Sequence, residues 1–192
     1  MTVILGAFPL LLYSVVHTLG QPQLDWLYLV GLTTLTTCFP FRIGLFSDRL
    51  WITLSDVFVV SAMLHLGPQA AVLIAVAEAL PFNLRMKVRG GYRRILNIAQ
   101  ITVVAFLTGH LLSLLLAIIG TPDANQIGNA ALGVTVTLFC GAVYFLLTSG
   151  LSAGAVTLAS LHDFAPTWKR SLAWAPVSLI GIALGTLAFF YS

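Results

Sequence analysis

The chain has 192 residues, of which 59% are hydrophobic and 8% charged, with nine Lys and Arg against six Asp and Glu. Its mean hydropathy is +1.00, whereas an average water-soluble domain is about 25% charged. The composition therefore excludes an ordinary water-soluble domain, and basic residues at the edges of apolar segments do not indicate nucleic-acid binding. It predicts a single integral membrane domain over residues 1–192 that is surrounded by the lipid bilayer.

Apolar segments follow one another along the chain, and we interpret them as an all-α, polytopic transmembrane bundle of about seven helices, with six to eight allowed. The predicted spans are 2–19, 27–41, 50–66, 69–84, 95–119, 129–149 with an alternative end at 161, and 172–191. A helix that crosses a membrane needs roughly 17–25 residues, so the second, third and fourth spans are short enough to be tilted or partly re-entrant. Gly67-Pro68 predicts a tight turn between the third and fourth spans.

The positive charges predict the orientation. All nine Lys and Arg lie in the stretches 42–49, 85–94 and 169–170. Short loops rich in Lys and Arg stay on the cytoplasmic side. The sequence thus predicts a multi-pass protein of the bacterial inner (cytoplasmic) membrane, with the N-terminus in the cytoplasm and the C-terminus outside. The second stretch is an inner basic loop that contains Arg85, Lys87, Arg89, Arg93 and Arg94.

Five polar residues are predicted to lie near the cytoplasmic side of three consecutive spans. Asp56 and Glu78 are each about six residues, or roughly 9 Å, from that end of their spans. Asn97 and Gln100 share one face of the fifth span, and Ser55 precedes Asp56. Because polar groups are costly inside lipid, we predict that these residues form a polar core. Two interpretations stay open: they hold the bundle together, or they form a site for an ion, a proton or a ligand head group.

Three histidines form a weaker pattern. His17, His65 and His110 are all predicted to lie in the outer half of the membrane. Histidines can ligate a metal or haem, but these three come from separate spans and no HxxxH or CxxC spacing is present. We therefore predict no metal site and leave any cofactor unassigned.

Small residues four positions apart predict close helix packing. Ala71 and Ala75 form such a pair in the fourth span, and Gly181 and Gly185 form another in the last span. The last span is the best candidate for a contact with another protein, so we expect a homo-oligomer or a larger membrane complex and no nucleic-acid partner.

Several short motifs occur in one order along most of the chain. They are Leu54-Ser55-Asp56-Val57-Phe58, Leu66-Gly67-Pro68, the alanines Ala70, Ala71, Ala75, Ala77 and Ala79, a basic turn, Arg94-Ile95-Leu96-Asn97-Ile98-Ala99-Gln100, and the stretch from Thr148 to Arg170. This order resembles the N-terminal multi-pass membrane region of bacterial HD-GYP or GGDEF signalling proteins. The resemblance implies membrane-embedded sensing or scaffolding, followed by a cytoplasmic output domain. Because the predicted C-terminus is outside, we expect either a fragment that lacks an eighth helix and its output domain, or a free-standing relative that works by assembly.

The sequence has no P-loop, GxSxG or HExxH motif, which favours a protein that is not an enzyme. We expect a bacterial integral membrane module, either a sensory input or an accessory or scaffold subunit, that binds a small or lipophilic ligand or partner helices. The alternative is a substrate-binding component of a membrane transporter, because Asp and Glu inside a membrane suit an ion or proton path. No inverted repeat with paired broken helices supports that alternative.

Overall fold

The computed structural model describes residues 2–20, 25–38, 41–43, 50–52, 55–85, 91–119, 130–160, 163–173 and 175–190. Within these ranges the chain forms eight helices and one two-stranded hairpin. The helices are α1 (Thr2–Leu19), α2 (Asp25–Cys38), α3 (Ser55–His65), α4 (Pro68–Arg85), α5 (Gly91–Ile119), α6 (Ala130–Ser160), α7 (Phe164–Leu172) and α8 (Ala175–Phe190). The strands are β1 (Phe41–Ile43) and β2 (Leu50–Ile52). The predicted helical class is confirmed, and seven of the described helices overlap the seven segments that were predicted to be helical.

Three boundaries differ from the sequence prediction. Residue 41 and residues 50–52, which were assigned to the second and third spans, belong to the hairpin, where Phe41 pairs with Ile52 and Ile43 with Leu50. Helix α5 begins at Gly91 rather than at residue 95. Helix α6 runs to Ser160, close to the alternative end predicted at residue 161. Pro40 cannot continue a helix, and the following aromatic and β-branched residues favour extended backbone.

Helix α7 lies within the stretch that was expected to be an inner loop. It has nine residues, begins after Asp163 and ends with the basic residues Lys169 and Arg170 close to its C-terminus. Pro166 falls in the first turn, where a missing backbone N–H costs nothing. One face carries Phe164 and Trp168, whose rings pack with centroids 5.5 Å apart. The expected loop is therefore a short amphipathic helix.

Helix α4 is at the centre of the bundle and packs against α1, α2, α3 and α5. Its residues Ala71, Ala75 and Ala79 are buried, and the core continues into apolar side chains of α3, α5 and α6. The turn before it follows the sequence prediction, since Gly67 has a φ of 86°. That left-handed conformation ends α3 as a glycine C-cap, and Pro68 then begins α4 with its ring in the first helical position.

Helices α4 and α5 run antiparallel. The first residue of α4, Pro68, meets Gly109 in the C-terminal half of α5, whereas Asn83 at the C-terminal end of α4 bonds to Asn97 near the start of α5. Helices α5 and α6 also run antiparallel, because Gln100 near the start of α5 donates to the backbone of Leu151 near the end of α6. The start of α5 and the ends of α4 and α6 therefore share one end of the bundle, which we call the basic end because Arg93 and Arg94 lie there.

The outer surface of the bundle is strongly apolar. On α1 the large side chains of Phe8 and Val16 are 71% and 65% exposed, whereas Ser14 and Thr18 on the opposite face are buried. Two helices, α5 and the part of α6 between Leu132 and Leu158, are long and apolar enough to cross a membrane. The segments Val3–Leu19, Asp56–His65 and Pro68–Leu84 are apolar but shorter.

Candidate functional site

A cavity of about 580 Å³ lies at the basic end, between the C-terminal ends of α4 and α6 and the start of α5. This volume falls in the range of ligand sites in proteins, roughly 300–1,000 Å³. The lining residues are Phe82 and Asn83 of α4, Tyr92, Arg93, Leu96, Asn97 and Gln100 of α5, and Ser152, Ala155, Val156 and Leu158 of α6. Most of the wall is therefore apolar, and a few polar groups converge on it.

Three side-chain amides provide most of the polar groups of the cavity. The Asn97 Nδ2 donates to the Asn83 Oδ1 at 2.9 Å, and the Gln100 Nε2 donates to the backbone oxygen of Leu151 at 3.3 Å. Asn83 is only 2% exposed, and its Nδ2 has no hydrogen-bond partner among the described residues. A buried donor that lacks an acceptor costs free energy, so the wall of the cavity contains an unused donor.

The rim of the cavity is exposed and amphipathic. Leu158 is 87% exposed, Tyr92 is 58% exposed and Val156 is 47% exposed. Arg93 is also exposed and lies one helical turn before Asn97 on the same face of α5. The site thus has an open apolar edge, a cation beside it, and amides further along the same helix face.

The residues of the predicted polar core lie at two separate places in the structure. Asn97 and Gln100 line the cavity. The Ser178 hydroxyl of α8 hydrogen-bonds to the carboxyl group of Asp56, and the charges of Asp56 and Glu78 both act on the buried Tyr144 hydroxyl of α6. Both carboxyl groups thus lie close enough to Tyr144 of α6 for their charges to act on it, while Asn97 and Gln100 face the cavity. Ser55 begins α3, but its side chain is outside the described residues.

The inner basic loop is described in part. Arg93 and Arg94 lie in the first turn of α5 and are exposed. Arg85 ends α4, but its side chain is outside the described residues, as are Lys87 and Arg89 altogether. Of the basic residues with described side chains, Arg93 is the one that lines the cavity.

The three histidines do not form a cluster in the described part of the chain, where no group of three His, Cys, Asp or Glu side chains is placed to hold a metal ion. The ring of His17 packs against Tyr13, with centroids 5.9 Å apart. The ring of His110 makes an edge contact with Phe106 at 4.3 Å. His65 ends α3 and lies in the electrostatic field of Asp25.

The small residues predicted to pack helices are placed as follows. Ala71 and Ala75 are fully buried in α4. Gly181 is half-buried in α8, and the surroundings of Gly185 are outside the described residues. The neighbour of Gly181, Ile182, packs on Gly141 of α6, so α8 has an intramolecular partner at this level.

Helix α7 packs against the C-terminal half of α6. The Trp168 Nε1 donates to the Ser149 hydroxyl at 3.2 Å, and a Cβ at Gly150 would lie 3.7 Å from that indole nitrogen. A Cβ at Gly154 would lie 4.0 Å from the Phe164 Cε2. Small residues on α6 thus leave room for two aromatic rings.

Sequence reasoning missed Asn83, Tyr144 and α7. Asn83 is beside the charged loop and resembles an ordinary helix-end residue, and Tyr144 lies within an apolar span. A signal for α7 was present in the sequence. Asp163 precedes a first turn that contains Pro166, and the last turn is basic, a pattern that is typical of a helix. Comparisons of the chain with family models, curated proteins and solved structures find no match.

Proposed function

We propose that the chain is a non-enzymatic, multi-pass module of the bacterial inner membrane, and that it binds a small lipophilic ligand in the cavity at its basic end. Ligand binding there would make it a sensory input or an accessory subunit of a membrane complex. The observation that carries this proposal is the cavity itself, with its apolar wall, three amides and an adjacent arginine.

The distribution of side chains supports the membrane part of the proposal. Large apolar side chains face outward on α1, and the small hydroxyl-bearing side chains of Ser14 and Thr18 face inward. A protein in water would expose the hydroxyl groups and bury the apolar groups, because burial of apolar area drives folding there. In lipid the outward apolar face costs nothing, and the small polar residues permit close helix packing.

The charge distribution supports the cytoplasmic placement of the basic end. Arg93 and Arg94 are there with the end of α4, and α7 brings Lys169 beside the C-terminal half of α6. Positively charged segments are retained in the cytoplasm. The cavity would then lie at the cytoplasmic interface, within reach of lipids and of cytoplasmic partner domains.

The test uses the full chain purified from bacterial membranes and analysed by native mass spectrometry. Ala155→Trp places an indole in the cavity wall, so we expect any co-purifying small molecule to be lost from this variant. Leu147→Trp is the matched control, because Leu147 is exposed on the same helix and does not line the cavity. Identical bound masses in the wild type and in Ala155→Trp would contradict the proposal.

The transporter alternative gives a different outcome. Time-dependent uptake of the co-purifying compound into proteoliposomes, abolished by Asp56→Asn, would favour a substrate-binding transport component. The placement of Asp56 against Ser178, on helices that do not line the cavity, favours the module over the transporter.

A further inference from the structure

The polar groups of the cavity restrict which ligand it can take. The Asn83 Nδ2 is buried and has no acceptor among the described residues, while the Oδ1 of the same amide is occupied by Asn97. The missing partner of Asn83 is therefore a hydrogen-bond acceptor.

The described part of the cavity wall also carries a positive charge. Arg93 and Asn97 are four residues apart on α5, so their side chains project from the same face about 6 Å apart along the helix axis. Among the described residues that line the cavity, Arg93 is the one that carries a charge. A guanidinium binds carboxylate and phosphate oxygens through charge-assisted hydrogen bonds. The acceptor that suits this end of the cavity is consequently anionic.

The remaining walls suit a hydrocarbon chain. Leu96, Ala155, Val156 and Leu158 line the cavity without any hydrogen-bonding side chain, and Val156 and Leu158 extend its apolar wall to the exposed rim. A ligand that is anionic at one end and apolar along its length would satisfy the arginine, the buried amide and the rim together.

We infer that the cavity binds the acid head group of a single-chain amphiphile such as a fatty acid. Arg93 and the Asn83 Nδ2 donate to the head-group oxygens, and the chain lies along Val156 and Leu158. This inference rests on the proposed function and narrows its ligand to one chemical class. Free inorganic phosphate offers the same oxygens but lacks the apolar chain, so it binds far more weakly.

The experiment is photo-crosslinking of the full chain in nanodiscs of uncharged lipid, with a dodecanoate that carries a diazirine on its chain. Labelled peptides are mapped by mass spectrometry, and labelling is competed with unlabelled dodecanoate, dodecanol or inorganic phosphate. We expect labels within residues 152–158 of α6, and competition by dodecanoate at concentrations at least about tenfold below those of dodecanol. Inorganic phosphate should not compete.

Two variants test the head-group contacts. Asn83→Asp keeps the acceptor for Asn97 but replaces the unused donor with a negative oxygen, so it should abolish dodecanoate-sensitive labelling. Arg93→Gln should weaken competition by about tenfold, because it removes one charge-assisted bond. Arg94→Gln is the matched control, since it removes the same charge from a neighbouring position that does not line the cavity.

The outcomes separate the inference from the function on which it rests. If dodecanol competes as well as dodecanoate, or if Asn83→Asp and Arg93→Gln bind like the wild type, the acid head group is not recognised and the inference is overturned, although the cavity remains a ligand site. If the dodecanoate probe does not label α5 or α6 at the cavity, the inference is overturned, and the mass spectrometry of Ala155→Trp decides the proposed function separately. Equal competition by inorganic phosphate would overturn the role of the hydrocarbon chain.

Discussion

Helices α4 and α5 contact each other at both ends of the bundle, but in opposite ways. At one end Pro68 and Gly109 approach so closely that a Cβ on Gly109 would lie 2.7 Å from the Pro68 Cβ and 2.8 Å from its Cα. At the basic end the same helices are joined by an amide pair at 2.9 Å and leave room for a cavity. Pro68 and Gly109 let the two helices touch at one end, whereas the longer side chains of Asn83 and Asn97 keep them further apart at the basic end.

This difference shows where the bundle is rigid and where it can accept a ligand. Direct backbone packing leaves no space to fill and tolerates no added atom. An amide pair spans a wider gap between two helices, and its remaining donors and acceptors can bind a ligand. The two ends should therefore respond differently to substitution, with the larger loss of stability at the close contact.

The largest effect is expected from Gly109→Ala. The added methyl group would collide with the backbone and ring of Pro68, so the two helices must move apart. Overpacking of a close interface costs about 1–3 kcal/mol, and the upper part of that range applies because a backbone atom cannot rotate away. The free energy of unfolding in detergent, measured by titration with sodium dodecyl sulfate, should fall accordingly.

Gly31→Ala is the matched control for this change. Gly31 is also inside a helix, but a Cβ added there would have no atom within 4 Å. The substitution should leave stability unchanged within about 1 kcal/mol, since it alters only helix propensity. An equal loss of stability in Gly31→Ala and Gly109→Ala would refute the close contact between α4 and α5.

A smaller effect is expected from Gly141→Ala, where the obstacle is a side chain. Its Cβ would lie 2.8 Å from the Ile182 Cδ1 and 3.1 Å from the Ile182 Cγ2. Because this side chain can shift, the loss should be about 1 kcal/mol, at the low end of overpacking. The double variant Gly141→Ala/Ile182→Val removes the Cδ1 methyl and should recover part of that loss in the same titration.

If the losses of stability in Gly141→Ala and Ile182→Val simply add in the double variant, the loss at Gly141→Ala does not come from a collision with Ile182. Ile→Val alone typically costs about 0.5–1.5 kcal/mol, so the double variant must be compared with both single variants. Residues in contact normally show a coupling energy of about 0.5 kcal/mol or more.

The smallest effect on stability is expected at the basic end. Asn97→Ala removes the bond to Asn83, and hydrogen bonds between membrane helices contribute about 0.6 kcal/mol on average. The double variant Asn83→Leu/Asn97→Leu should be less destabilised than Asn97→Ala, because no buried polar atom is left without a partner. A loss at Asn97→Ala that matches the loss at Gly109→Ala would show that the basic end is as tightly packed as the other.

The helices themselves could be predicted largely from the sequence. Seven apolar segments separated by polar or glycine- and proline-containing stretches coincide with α1 to α6 and α8 to within a few residues at most boundaries. The hairpin and α7 could not be placed in the same way, because three-residue strands and a nine-residue helix are too short for a hydropathy pattern to identify.

The site was predictable only in part. Asn97 and Gln100 were singled out because amides are uncommon within an apolar span, and the structure places both on the cavity. Their companions were hidden, since Asn83 and Arg93 look like ordinary residues at helix ends. Asp56 was predicted to belong with these amides, but its described hydrogen bond is to Ser178, on a helix more than a hundred residues further along the chain.

The sequence by itself determined that this chain forms a set of apolar helices with its positive charges concentrated at a few helix ends. Both properties are local, since they depend on composition and on the lengths of uninterrupted apolar segments. Only the tertiary structure decided which faces of those helices meet. Helices that are apolar on all sides have no amphipathic pattern to orient them, so packing against neighbours brought Gly109 onto Pro68, joined Asn83 to Asn97, and left the cavity beside Arg93.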